Sequence, residues 1–217
     1  MSPDSKCLVP YVTGRQGEEA DSFLSLRATF DAKGVARLGY WDETTEDRDV
    51  RGVLWGRVSQ SIGADRLPTG EPKWRMVHPS RQRETMLNLW CQVCARKARS
   101  SEGVLFLASK KDGMPTSSAT MCTPQPPVCL RHARLAANRC PYLMEHGHVA
   151  LLAQSAPLYG VIGTPYTYTG GGLQALAGDD TPVPYRDSAL RWFLASQLVR
   201  TLRSFTVVDL DDLVPAS

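Results

Sequence analysis

LWCQVCARKA (89–98) and PPVCLRHARLAANRCP (126–141) each carry two metal-ligand side chains at x2 spacing, Cys91 with Cys94 and Cys129 with His132. Tetrahedral zinc takes four sulfur or nitrogen ligands, and structural sites commonly receive them as two close pairs from separate chain segments. The pattern therefore predicts a structural Zn2+ ion. It does not point to catalysis, because catalytic zinc keeps one position open and here protein fills all four. Cys122 and Cys140 are rivals for the fourth place. Cys140 lies about 16 Å beyond Cys129 along an ideal helix, so both cannot ligate one ion unless the helix bends. Cys122 sits in a Pro-rich loop and can substitute for His132. Cys122, Cys140, His146 and His148 make a second, weaker candidate group. Cys7 has no metal-binding neighbour and reads as a free, half-buried thiol.

Around the ligands the local structure is readable. A helix is expected over about 81–90, capped by Ser80, with Met86, Leu87, Leu89 and Trp90 on its apolar side. It runs straight into Cys91. GVLFLAS (103–109) is strand-like, KKDG (110–113) a turn, and the proline-rich 114–127 a loop. A second helix starts near Pro127 or Val128 and stops at Pro141. On it Cys129 and His132 stand at i and i+3 and share one face. This order of knuckle, strand, loop and ligand-bearing helix resembles the treble-clef zinc finger, over about residues 88–141. The resemblance implies two ligands from the CxxC turn and two from the first helical turn, here Cys91, Cys94, Cys129 and His132. Some treble clefs are HNH-type nucleases with histidines on the hairpin strand and helix. GVLFLAS has no histidine and Asn138 follows His132, so the nuclease pattern is missing.

Further out, SFLSLRATF, DAKG and VARLGYW (22–41) read as a β-hairpin, and residues 50–62 as another strand. The Gly- and Pro-rich 63–73 reads as a linker. Residues 148–169 read as two strands broken near Ser155–Pro157, followed by a flexible TGGG turn at 169–172. Asp187 is placed to cap an amphipathic helix bearing Leu190, Phe193, Leu194, Leu198, Thr201 and Leu202, with FTVVDL as a last strand. The fold class is α+β. A β-rich N-terminal part (1–72) precedes a central treble-clef-like zinc module (73–141). C-terminal strands with one amphipathic helix (142–217) are expected to pack with the N-terminal part as one body.

The net charge of +3 is unevenly spread. Residues 73–140 carry 12 Lys and Arg against 3 Asp and Glu, while residues 1–72 carry 9 against 12 and residues 141–217 carry 4 against 7. A local basic field attracts anions, nucleic acid first among them. Arg131, Arg134 and Asn138 form an i, i+3, i+7 stripe on the ligand-bearing helix, and Arg81, Arg83, Arg96, Lys97 and Arg99 extend it. The leading expectation is a non-catalytic zinc-binding protein whose basic module contacts nucleic acid, in a regulatory role. The first alternative is a scaffold or assembly subunit, in which zinc only stabilises the fold and the basic centre meets a protein partner or a second copy. The second is an enzyme with a site around His146–His148 and Tyr159–Tyr168. TGGG lacks the lysine and context of a P-loop. No basic stretch followed by an apolar one opens the chain, and runs such as VALLA are too short to span a bilayer. The expected compartment is the cytoplasm, with no membrane partner.

Overall fold

A computed structural model of the chain describes residues 8–112 and 120–213, so Cys7 and part of the proline-rich loop lie outside the described residues. The elements in order are β1 (Thr13–Arg15), β2 (Leu26–Phe30), β3 (Ala36–Tyr40), β4 (Leu54–Trp55), β5 (Pro72–Val77), α1 (Pro79–Asn88), β6 (Val104–Ser109) and β7 (Met121–Thr123). There follow α2 (Leu130–Arg139), α3 (Pro141–His146), β8 (His148–Ser155), β9 (Leu158–Thr169), β10 (Gly172–Ala175), β11 (Val183–Pro184), β12 (Phe193–Val208) and α4 (Leu210–Leu213). The architecture is α+β and mostly sheet.

Among the described residues, eight strands form one sheet of order β10-β9-β12-β8-β6, with β4 and β7 joined to β12 and β11 to β9. β4 runs parallel to β12, and the other pairings are antiparallel. β2 and β3 form the expected hairpin, in register Leu26↔Tyr40 to Phe30↔Ala36, and β1 pairs with β5. β8 and β9 are the two strands expected between 148 and 169, and Gly170 and Gly171 turn β9 back into β10.

The largest departure from the sequence reading lies at 187–208. Asp187 does cap a turn, accepting from the Ala189 N–H, but the turn is a 3-10 helix ending at Trp192. Phe193–Val208 is then one sixteen-residue strand, and the expected amphipathic helix and separate last strand do not exist. The physical reason is twofold. Leu198, Val199, Arg200, Thr201 and Leu202 are all buried, because this central strand is covered on both faces and so loses the simple alternation of a half-exposed strand. The ladder to β9 also shifts register between Ala195 and Gln197 and between Val199 and Arg200. Such irregularities break the period of two and let apolar positions mimic a helical repeat. The β-branched Val199, Thr201, Thr206, Val207 and Val208 favour the strand.

Smaller corrections follow the same logic. α1 begins at Pro79 with His78 as its cap residue, not Ser80, since proline is pre-set for the first helical turn. Within 50–62 only Leu54–Trp55 is strand: Gly52, at φ 81°, and Gly56 flank it. Residues 63–73 are more structured than a linker. An Ile62↔Pro68 bridge closes a turn, and Pro72 opens β5. Lys110–Asp112 form a 3-10 turn, and β7 lies inside the segment read as loop.

β6 links the metal-ligand region to the sheet, since it pairs along its whole length with β8, Val104↔Ala153 to Ser109↔His148. α2 lies on this edge through Ala133, Ala136 and Ala137, which are at most 5% exposed. Small side chains let the helix approach closely, and they share a core with Leu105, Leu107, Val128, Leu143 and the ligand Cys91.

Candidate metal centre and its basic surroundings

α1 ends at Leu89 in the left-handed conformation, φ 52°, and its N–H returns to the Thr85 carbonyl. This turns the chain out of the helix and into the knuckle. A Trp90↔Lys97 bridge closes the knuckle, with Cys91 N–H donating to Arg96 O at 2.7 Å and Ala95 N–H to Cys91 O at 2.9 Å. Ala95 takes φ 52°, the one strained residue in this tight turn. The Val93 N–H points at Cys91 Sγ, 3.4 Å away. Two contacts bring the second ligand pair alongside. Val128 N–H donates to Leu105 O and Gln92 N–H to Pro127 O, each at 2.9 Å. Cys129 is the N-cap residue of α2, and His132 stands in its first turn.

The four ligand atoms of Cys91, Cys94, Cys129 and His132 all lie within 4.8 Å of one another. His132 Nδ1 is 3.3 Å from Cys129 Sγ and 3.9 Å from Cys91 Sγ. A tetrahedron with zinc–sulfur bonds of about 2.3 Å and a zinc–nitrogen bond of about 2.0 Å has edges of about 3.5–3.8 Å. The observed spacings straddle that value, so this Cys3His group can hold a metal ion. Without a cation, burial pushes the Cys91 and Cys94 thiols up. Burial, helped by Arg131 and Arg96, pulls His132 down and keeps it neutral. A metal needs that neutral imidazole, and it reverses the thiol shift by taking thiolates.

The rival cysteines stand elsewhere. Cys122 is exposed on β7, with Sγ 3.7 Å from Thr201 Oγ1, and Cys140 is the cap residue between α2 and α3. No second group of three or more ligating side chains forms among the described residues, so Cys122, Cys140, His146 and His148 are not brought together. The His146 ring packs edge-on against Tyr142, with centroids 4.8 Å apart. All five described cysteines are free thiols.

Arg96, Lys97 and Arg131 are exposed beside the metal group, and Arg99 is exposed further along the chain, whereas Arg81 is buried against Glu18 and the half-buried Arg83 lies over the Trp55 ring. Arg134 differs from the expected solvent-facing stripe: its Nη2 lies 2.8 Å from Asp211 Oδ1 at the start of α4. That acidic turn follows directly from β12, which ends beside the helix. Arg15 of β1, itself buried, lines a groove with Arg96, Lys97 and Arg131. Nothing in the local sequence TGRQG marks Arg15. Its position depends on β1 pairing with β5 and on the Tyr11 and Val12 N–H groups bonding to the knuckle carbonyls of Val93 and Gln92.

No protein-family model, curated protein or solved structure matches this chain. Among the described residues no helix is long and apolar enough to cross a membrane.

Proposed function

We propose that this chain is a non-catalytic zinc-binding protein whose basic knuckle-and-helix face contacts nucleic acid. Zinc is the favoured ion because three thiolates and an imidazole form a soft, tetrahedral, fully protein-filled donor set. The treble-clef-like reading of 88–141 is supported by the knuckle and by ligands at the cap and in the first turn of α2. Its strand β6 finds its ladder partner in β8 instead of in a hairpin of its own. The observation that carries the nucleic-acid reading is the cluster of exposed Arg96, Lys97 and Arg131 beside the metal group. Positive side chains on one face neutralise phosphates and release their counterions, so affinity falls steeply with salt.

The Arg134–Asp211 ion pair favours a second reading, in which part of the basic face serves the fold and zinc belongs to a scaffold. Elemental analysis of protein purified without added metal tests the zinc assignment, with one equivalent per chain expected. Mobility shifts with duplex and single-stranded DNA and RNA across a salt series test the rest. Zinc-replete protein that shifts none of them at low salt rejects the nucleic-acid reading and leaves the scaffold.

A further inference from the structure

Beside the metal group the N-terminal segment, the 67–70 turn, the knuckle and the first turn of α2 enclose a groove of about 810 Å3. Its charged lining consists of Arg15, Arg96, Lys97 and Arg131, with no carboxylate among the lining residues. Each of the four has a reason to be counted. Arg96, Lys97 and Arg131 are exposed, and none makes an ion pair among the described residues. Arg15 is only 4% exposed, yet its guanidinium makes no ion pair with a carboxylate among the described residues. Its Nη2 donates to the Pro10 carbonyl at 3.3 Å, and its buried Nε has no hydrogen-bond partner among the described residues. The nearest carboxylate in the interior, Glu18, is already held by Arg81 through both oxygens. Burial, with Arg81 as a second cause, pulls Arg15 below the ordinary guanidinium range.

A metal held by three thiolates and a neutral imidazole carries a net charge of −1. One cation balances it, and four are present, so the groove keeps an excess of three positive charges. The first turn of α2, with no acidic side chain and no side-chain cap, adds the positive end of the helix dipole. Leu8, Val9, Leu67, Pro68 and Val93 give the groove its apolar walls. The volume falls within the range of small-molecule sites. A concave site of this size admits a compact group or a strand end but not the side of a duplex.

We propose that this groove binds a phosphate ester with a planar or apolar body, a nucleotide that is either free or the 5′-phosphorylated end of a strand. Arg15, Arg96, Lys97 and Arg131 supply the phosphate contacts, and the apolar walls receive the base. Planar guanidinium forks suit phosphate oxygens, and a single carboxylate leaves most of the excess charge unmatched. The inference rests on the nucleic-acid reading of Arg96, Lys97 and Arg131, and narrows it to a terminal phosphate.

The test uses the full-length zinc-loaded protein and a short labelled single strand, made with a 5′-phosphate and with a 5′-hydroxyl. ADP and inorganic pyrophosphate serve as competitors. The 5′-phosphate is expected to raise affinity about tenfold, and ADP to displace the strand. Saturable ADP binding without any strand binding supports the groove with a free nucleotide as its ligand, and rejects the polymer reading. Equal binding of both strands, with no competition, overturns the groove proposal and leaves the polymer reading standing. Thr69→Glu, on the exposed turn at the rim, places a carboxylate at the groove. It is expected to weaken phosphate-dependent binding about tenfold while zinc content and Tm stay unchanged. Arg15→Met is the interior counterpart. Full affinity in both variants overturns the proposal.

Discussion

Glu18 and Arg81 meet in the interior with side chains 2% and 1% exposed, whereas Cys91, Cys94, Cys129 and His132 meet beside an exposed basic surface. Each fastener joins distant segments: the turn after β1 to α1 in one case, the knuckle to α2 in the other. They handle charge in opposite ways. Arg81 donates to both Glu18 oxygens and to the Thr13 carbonyl, and Glu18 also accepts from the Arg15 and Ser61 N–H groups. That pair is charge-balanced and closed to solvent, with only Arg81 Nε left without a hydrogen-bond partner among the described residues. The metal group, once loaded, is anionic, and its neighbours carry more positive charge than it needs. A charge-balanced pair serves the fold alone, while a group that leaves charge over also has something to offer a ligand.

The two fasteners differ in expected strength, and removing each in turn tests the distinction. Cys91→Ser or Cys129→Ser is expected to have the largest effect, because structural zinc contributes about 10 kcal/mol or more in isolated zinc-finger peptides. Both variants should lose their metal and drop in Tm by about 10 °C or more, or fail to accumulate as soluble protein. Calorimetry with elemental analysis reads this directly. Cys122→Ser, at the exposed position on β7, should be nearly silent. A Cys122 variant as damaging as the Cys91 variant would contradict the ligand assignment.

Glu18→Gln comes next, at about 3–5 kcal/mol, the usual result of breaking one side of a buried ion pair. Its pH dependence has a definite sign. Burial alone would raise the Glu18 carboxyl, but hydrogen bonds from Arg81 and from the Arg15 and Ser61 N–H groups hold it at about 2, below the ordinary 4.5. A depressed folded value gives stability that is complete above pH 4.5 and is lost as pH falls toward 2. Wild-type Tm should therefore fall across that window, and Glu18→Gln should fall less steeply. Asp47, held at about 2 chiefly by Arg57, keeps part of the slope in the variant. Parallel acid limbs in the two proteins would show that Glu18 is not held down by these bonds.

The two fasteners also differed in how far the sequence revealed them. The four metal ligands were readable because each pair is local, and x2 spacing is a chemical signature that survives without tertiary context. The hairpin at 26–40 and the break between β8 and β9 were readable for a similar reason: turn chemistry and alternation lie within one short window. The Glu18–Arg81 pair was not, because nothing local distinguishes its arginine from an exposed surface cation such as Arg99. Arg15 was missed likewise. The strand at 193–208 shows the reverse failure. A full apolar pattern was present, but burial on both faces and two register shifts removed the period that separates strand from helix. Arg134 was misplaced for want of the fold, since its acidic partner sits at the far end of the chain.

The smallest effects are expected on the basic face, where they sharpen the contrast between charge used by the fold and charge left for a ligand. Arg131 is exposed and makes no ion pair among the described residues, while Arg134 is engaged by Asp211. If nucleic acid binds there, Arg131→Ala should remove about one phosphate contact and lower the salt slope by about 1, at constant Tm and zinc content. Arg134→Ala should change the slope less and instead lower stability by under about 1 kcal/mol, because its ion pair is largely solvated. Asp211→Asn separates the two roles most clearly. It keeps the shape of the α4 turn and releases Arg134 from its carboxylate, so binding should tighten and the slope should rise by as much as about 1. A slope that falls equally for Arg131→Ala and Arg134→Ala, and does not respond to Asp211→Asn, would mean that the ion pair does not persist in solution. The whole stripe would then act as one surface.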